Sequence, residues 1–168
     1  MESIRISGIE KESIVDGPGI RYVIFVQGCP HHCAGCHNPQ THDFDGGRDK
    51  RFDEILSDLD KNPLLSGVTF SGGEPFCKAK ELAELAVEIR KKGLNIVCYS
   101  GYTFEELLEK GKKEPEVFEL LKLSDILIDG KFIINEKSLM LKFRGSKNQR
   151  ILNLPASLEA GVAINAEI

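Results

Sequence analysis

No apolar run in this sequence approaches the roughly 18 residues needed to span a bilayer. The opening stretch Met1-Glu-Ser-Ile-Arg-Ile-Ser has neither the basic n-region nor the apolar h-region of a secretory signal. A cytoplasmic location and no membrane partner are the expectations that follow. Charge of one sign is equally scarce. The 22 Lys and Arg against 26 Asp and Glu leave a formal net charge of -4, which gives nucleic acid no bulk electrostatic hold. Proline and serine never gather into a linker, no segment repeats, and no low-complexity tract interrupts the chain. What is present is 168 residues, 41% hydrophobic and 29% charged, the composition of a soluble globular protein. One domain over residues 1–168 is expected, since the length is short for two.

The pattern along the chain alternates strands with helices. Residues 20–27 are rich in β-branched and aromatic side chains and end at Gly28, which predicts a buried strand. Apolar spacing at Phe52, Ile55, Leu56 and Leu59 predicts a helix, and Val68-Thr-Phe a strand that stops at Gly72-Gly73. A helix over 78–92 carries Leu82, Leu85, Ala86 and Ile89 on one face and is closed by Gly93. A strand over 95–99, a helix over 104–110 capped by Thr103, a second helical piece over 115–123 and a strand over 125–129 complete the series. Such alternation implies βαβ crossovers and a mainly parallel sheet, whose ligand sites lie at the C-terminal ends of the strands.

Five cysteines make an odd count, and Cys29, Cys33 and Cys36 fall within eight positions, a layout suited to a metal rather than to disulfides. Three soft thiolates from one loop suit an iron–sulfur cluster or zinc. With a four-iron cluster, three cysteines leave one iron open to a substrate. With zinc, one of His31, His32 or His37 would complete a structural site. Zinc ligands usually arrive as two pairs from separate knuckles, whereas these cysteines share one loop after a strand. Otherwise His31 and His32 shape the loop or donate to its ligands. Cys77 and Cys98 read as small core hydrophobes, and His42 is unassigned.

Several segments, in order, carry a resemblance. Asp16-Gly-Pro-Gly-Ile-Arg21, Gln27-Gly-Cys-Pro-His-His-Cys-Ala-Gly-Cys-His-Asn-Pro39, Thr69-Phe-Ser-Gly-Gly-Glu-Pro75, Tyr99-Ser-Gly-Tyr102, Asp129-Gly-Lys-Phe132 and Arg144-Gly-Ser-Lys-Asn-Gln-Arg150 span most of the chain. Together they resemble the radical S-adenosylmethionine activating proteins of anaerobic ribonucleoside-triphosphate reductase. The cysteine spacing alone marks only the wider superfamily. The ordered set, with the final Arg-Gly-Ser-x-Asn-Gln-Arg pattern, is more specific. Relatives of this kind often carry Trp in the strand before Tyr99 and Tyr after the third cysteine. This chain has no Trp and places His37 there.

The resemblance implies an α/β fold of the radical S-adenosylmethionine kind, an incomplete open (β/α)6-type barrel of about six parallel strands. Its cluster loop would follow the first barrel strand. It implies a four-iron, four-sulfur cluster on Cys29, Cys33 and Cys36, with S-adenosylmethionine on the fourth iron. Gly72, Gly73 and Glu74 would receive the methionine amino group, Glu74 by accepting from the ammonium. Gly35 to His37, including Cys36, would lie against the nucleotide, Ser100 would join the cosubstrate contacts, and Asp129 and Lys131 would hold its carboxylate side or form a surface pair. Asp16-Gly-Pro-Gly is either a tight turn or a lip over the site. Lys142, Arg144, Lys147 and Arg150 are either a solvated face or a patch that docks the large reductase subunit or the ligand's anionic end. The implied partners are the large catalytic subunit of the reductase and an external low-potential electron donor of flavodoxin or ferredoxin type. The implied reaction is reductive cleavage of S-adenosylmethionine and installation of a glycyl radical. Two other readings stand beside it: an activator of the pyruvate formate-lyase type, generally a longer chain, and a non-enzymatic iron–sulfur or zinc module.

Overall fold

The structure, a computed structural model, describes residues 2–168. Seven strands form one sheet: β1 (Ser3–Ser13), β2 (Arg21–Val26), β3 (Arg48–Arg51), β4 (Gly67–Gly72), β5 (Asn95–Tyr99), β6 (Ile126–Asp129) and β7 (Arg150–Asn153). Their spatial order is β3-β1-β2-β4-β5-β6-β7, so the sheet is open. β2, β4, β5 and β6 are neighbours and run parallel. β1 is antiparallel to β2, β3 to β1 and β7 to β6, so β3 points the same way as the central four while β1 and β7 oppose them.

The α/β class and the open sheet agree with the expectation, but the strand count is corrected. Four adjacent parallel strands form the centre, not about six. The reason lies in the connections. A parallel neighbour needs a crossover of a dozen or more residues, usually a helix; β1 turns into β2 over residues 14–20, too short for one, and the link from β6 to β7 over residues 130–149 carries no α-helix. Those strands return antiparallel, and neither β1 nor β7 has the apolar pattern that identified the others.

The helices are α1 (Phe52–Asp60), α2 (Ala79–Lys91), α3 (Phe104–Lys113), α4 (Pro115–Leu123) and α5 (Leu154–Ala160). Leu82, Leu85, Ala86 and Ile89 are all buried on α2, and the helix stops where Gly93 takes a left-handed φ of +80°. Thr103 opens α3 through a capping box: its hydroxyl accepts from Glu106 N at 3.1 Å, and Glu106 Oε1 accepts from Thr103 N at 2.9 Å. Pro115 starts α4 at a position where its missing N–H is no loss.

Side chains alternate across a strand, and here the alternation separates core from site. Tyr22, Ile24 and Val26 of β2, Val68 and Phe70 of β4, and Ile96 and Cys98 of β5 join all five helices in a single hydrophobic core. The intervening residues, Val23, Thr69, Ser71, Val97 and Tyr99, face the other way and stand outside that cluster. Arg21 also lies on that side, fully buried. It donates to Thr69 Oγ1 at 2.7 Å, Pro18 O at 2.9 Å and Val68 O at 3.0 Å. Burial pushes its guanidinium down to about 10, so it stays charged at neutral pH. Thr69 in turn donates to Asp16 O at 2.8 Å. The Asp16-Gly-Pro-Gly-Ile-Arg21 segment is thus pinned to the sheet by its own arginine.

Candidate functional site

The cysteine loop grows out of the C-terminal end of β2. Gly28 ends the strand with φ +106°, and a Cβ there would stand 2.4 Å from the Phe44 ring. The return of the loop is tied to its start, since Gly28 N donates to Thr41 O at 2.6 Å and Cys29 N to His42 O at 3.2 Å. Buried Gln27 holds the far side with its amide on Gln40 O at 3.0 Å and Asp43 O at 2.6 Å. Between these anchors the chain presents Cys29, which is buried, and Cys33 and Cys36, which are half-buried.

All three cysteines line one cavity of about 640 Å³, together with Gly72 and Gly73 from the end of β4 and Ser100 after β5. Burial pushes the Cys29 thiol up, and the His31 and His32 amides directed at its sulfur oppose that. Among the described residues, no three His, Cys, Asp or Glu side chains converge closely enough to hold a single metal ion. A four-iron cluster is a body rather than a point, and each iron takes its own thiolate. Three soft donors spread along one wall, with a cavity in the size range of small-molecule sites, fit such a cluster together with a ligand.

The remaining expected site residues divide. Gly72 and Gly73 line the cavity, yet their lack of a side chain is demanded from behind. A Cβ at Gly72 would stand 2.6 Å from Phe25 Cα, and one at Gly73 2.3 Å from Gly28 O. His37 is on the wall, tilted against Phe132 at 5.0 Å between ring centroids. Gly35 is set back, where a Cβ would stand 2.7 Å from Ile134 Cδ1. Glu74 differs most from expectation. It is fully buried, and its carboxylate accepts from His31 Nε2 at 2.6 Å, Gly101 N at 2.8 Å, Ser100 Oγ at 2.9 Å and Phe76 N at 3.0 Å. With four donors supplied by the protein, it has little capacity left for an ammonium.

Asp129 and Lys131 are separated by the fold. Lys131 lines the cavity. Asp129 is buried, accepts from Phe104 N at 2.7 Å and is gripped by Arg150 at 3.0 and 2.5 Å, so its carboxylate secures the start of α3. Arg150 also reaches Glu105 at 2.7 Å, and that hydrogen bond holds the Glu105 carboxyl below its ordinary value. Cys98 is in the core beside Ser124 Oγ at 3.2 Å. Burial pushes its thiol up to about 12 and that of half-buried Cys77 to about 11.

The Arg144-Gly-Ser-Lys-Asn-Gln-Arg150 segment resolves into parts. Gln149 accepts from Gly145 N at 2.9 Å and Ser146 N at 3.1 Å while donating to Gly130 O at 3.0 Å. Asn148 donates to Lys131 O at 2.8 Å. The two amides clamp the segment that carries Lys131. Of the basic stretch, Arg144 and Lys142 line the cavity, where they could meet a ligand's anionic end, while Lys147 and Arg150 do not. Among the described residues, Asp16 is the one acidic side chain on the wall, which Ile14, Val15 and His42 also join. Buried His42 Nε2 and Arg144 Nε have no hydrogen-bond partner among the described residues. Sequence patterns flagged these segments, but which of their residues turn toward the cavity is set by the loops' tertiary contacts.

An open α/β sheet with three cysteines of one loop at its strand ends defines a single-cluster iron–sulfur protein, and residues 15–152 match the 4Fe-4S single cluster domain. The chain is 36% identical over 146 residues to the anaerobic ribonucleoside-triphosphate reductase-activating protein of Vibrio cholerae, covering 82% of this chain and 90% of that one. It is 33% identical over 149 residues to the protein of the same name from Escherichia coli K12, with 84% and 93% covered. The chain belongs to the anaerobic ribonucleoside-triphosphate reductase-activating protein family. A pyruvate formate-lyase-activating enzyme of Staphylococcus aureus is 34% identical over 160 residues, but only 62% of its length is covered.

Proposed function

We propose that this chain is a radical S-adenosylmethionine enzyme that activates anaerobic ribonucleoside-triphosphate reductase. The observation that carries the reading is one cavity lined by Cys29, Cys33 and Cys36 in a chain that matches such activators over nearly their whole length. The shorter coverage of the pyruvate formate-lyase activator supports the reductase as partner. When bound, the cluster would supply the low-potential electron for reductive cleavage of S-adenosylmethionine, the chemistry needed to install a glycyl radical on the partner.

The chain's own residues bind, orient and shield. Cys29, Cys33 and Cys36 would hold three irons. Gly72 and Gly73 would meet the methionine amino group along the end of β4, and Ser100 and His37 would line the remainder. Lys131, with Arg144 and Lys142 beside it on the wall, would offer positive charge to the carboxylate. No side chain is needed to move a proton in a homolysis. At the mouth, the cavity-lining residues Ile14, Val15 and Leu139 are 75%, 68% and 90% exposed. That apolar rim supports entry of a partner's peptide loop, with the electron arriving from an external flavodoxin- or ferredoxin-type donor.

The test is low-temperature electron paramagnetic resonance on anaerobically reconstituted, dithionite-reduced protein with and without S-adenosylmethionine, with 5′-deoxyadenosine assayed in the same samples. A reduced four-iron signal that changes on adding the cosubstrate is expected. Cys33→Ala should fold, retain little four-iron cluster and form no 5′-deoxyadenosine. Turnover by that variant at the wild-type rate would refute the ligand assignment.

A further inference from the structure

Glu74 is a fully buried carboxylate that His31 meets at hydrogen-bond distance. Its four donors come from three places: the cysteine loop through His31, the turn after β4 through Phe76, and the turn after β5 through Ser100 and Gly101. His31 Nε2 donates to Glu74 at 2.6 Å, a short contact between side chains that are nearly or wholly buried. The imidazole is held from its other sides as well. It meets Tyr102 edge-on at 4.6 Å between centroids, and a Cβ on Gly101 would stand 2.4 Å from its ring. Gly101 is therefore the empty space into which His31 fits.

His31 also acts through its backbone. Its amide and that of His32 are directed at the Cys29 sulfur. One residue thus carries an anchor at its side chain and a sulfur donor at its amide, separated by a few bonds. Hydrogen bonds to ligand sulfurs stabilise the more negative, reduced state of an iron–sulfur cluster and raise its potential.

We propose that Glu74 and His31 form a positioning clasp that locks the cysteine loop onto the ends of β4 and β5 and holds the His31 and His32 amides on Cys29, setting the cluster's reduction potential. The inference rests on the proposed cluster at Cys29, Cys33 and Cys36. Neither residue is a catalytic residue in this role, because each acts through Cys29.

Three variants separate the clasp from general stability. His31→Leu removes the donor while keeping apolar bulk. His31→Gln restores a neutral donor long enough to reach Glu74. Gly101→Ala fills the space of the imidazole and leaves the Glu74 carboxylate and its backbone donors in place. Glu74 is retained in all three, so a change in potential does not come from replacing that side chain. The measurements are the cluster midpoint from a redox titration followed by electron paramagnetic resonance, the iron content, and the melting temperature of each cluster-free variant. The expected result is a midpoint more negative than wild type in His31→Leu and Gly101→Ala, with His31→Gln close to wild type and all three cluster-free proteins still folded. Wild-type midpoints in His31→Leu and Gly101→Ala would overturn the clasp. So would loss of cluster confined to variants that are already unfolded without it. A wild-type protein that binds no four-iron cluster would instead overturn the functional reading beneath it.

Discussion

The two cysteines outside the loop show how burial decides what a thiol does. Cys98 is fully buried in the core, and burial raises it to about 12 against an ordinary 9. The neutral thiol is the form that folds. In the unfolded chain the thiol releases its proton near 9, so the native state binds more protons above that pH and stability falls as pH rises toward about 12. We expect the melting temperature of the cluster-free protein to decline above pH 9, with a shallower decline in Cys98→Ala. Equal slopes for the two proteins would remove Cys98 as a source of the loss. Arg21 makes the complementary point. Its charge is tolerated inside because the guanidinium fork meets carbonyl and hydroxyl oxygens at close range, as a buried ionised group requires.

Among the elements, α3 is the one whose start bears most directly on the site. It follows the turn that supplies Ser100 and Gly101 to Glu74, and its first amide, Phe104 N, donates to Asp129. The capping box satisfies two more donors, Glu106 N through the Thr103 hydroxyl and Thr103 N through the Glu106 carboxylate. Thr103→Ala should cost about 1 kcal/mol of stability, read as a lower urea midpoint with an unchanged slope. Because Asp129 still holds Phe104 N, iron content after reconstitution should stay near wild type. A large loss of iron would show that the capping box itself positions the turn. The end of β4 illustrates a different control. Gly72 and Gly73 are glycines because β2 and the start of the cysteine loop press against them, so the strand ends that flank the cavity are spaced by backbone contact rather than by side chains.

For the whole molecule, the unclosed sheet is the consequential feature. Helices cover one face and build the core, while the other face carries the cavity and its exposed apolar rim. Under the proposed function, such a site would hold the cluster on one side and stay open on the other, so productive chemistry would await a partner. Reconstituted protein with S-adenosylmethionine and reductant should generate a glycyl radical doublet on the large subunit of anaerobic ribonucleoside-triphosphate reductase and none on pyruvate formate-lyase. The opposite preference would move the chain to the second class of activator. Both arms use the same spectrometer and the same activator preparation, so a silent result with both partners points back to cluster assembly.

The sequence by itself determined the α/β alternation, because apolar periodicity and glycine or threonine boundaries are local signals. The bounds of β5 and α4 agree with that reading residue for residue. It also determined the cysteine loop, whose spacing is a covalent property of the chain. β1, β3, β7 and α5 were not legible. β3 reads Arg-Asp-Lys-Arg and is a strand only because β1 offers it hydrogen bonds, and backbone pairing leaves little trace in side-chain type. The tertiary structure alone decided that Glu74 faces His31 rather than the cavity, that Asp129 belongs to Arg150 while Lys131 belongs to the site, and that Arg144 turns inward. A carboxylate takes the donors that the packed fold brings to it, and those donors come from residues up to 43 positions away in the chain.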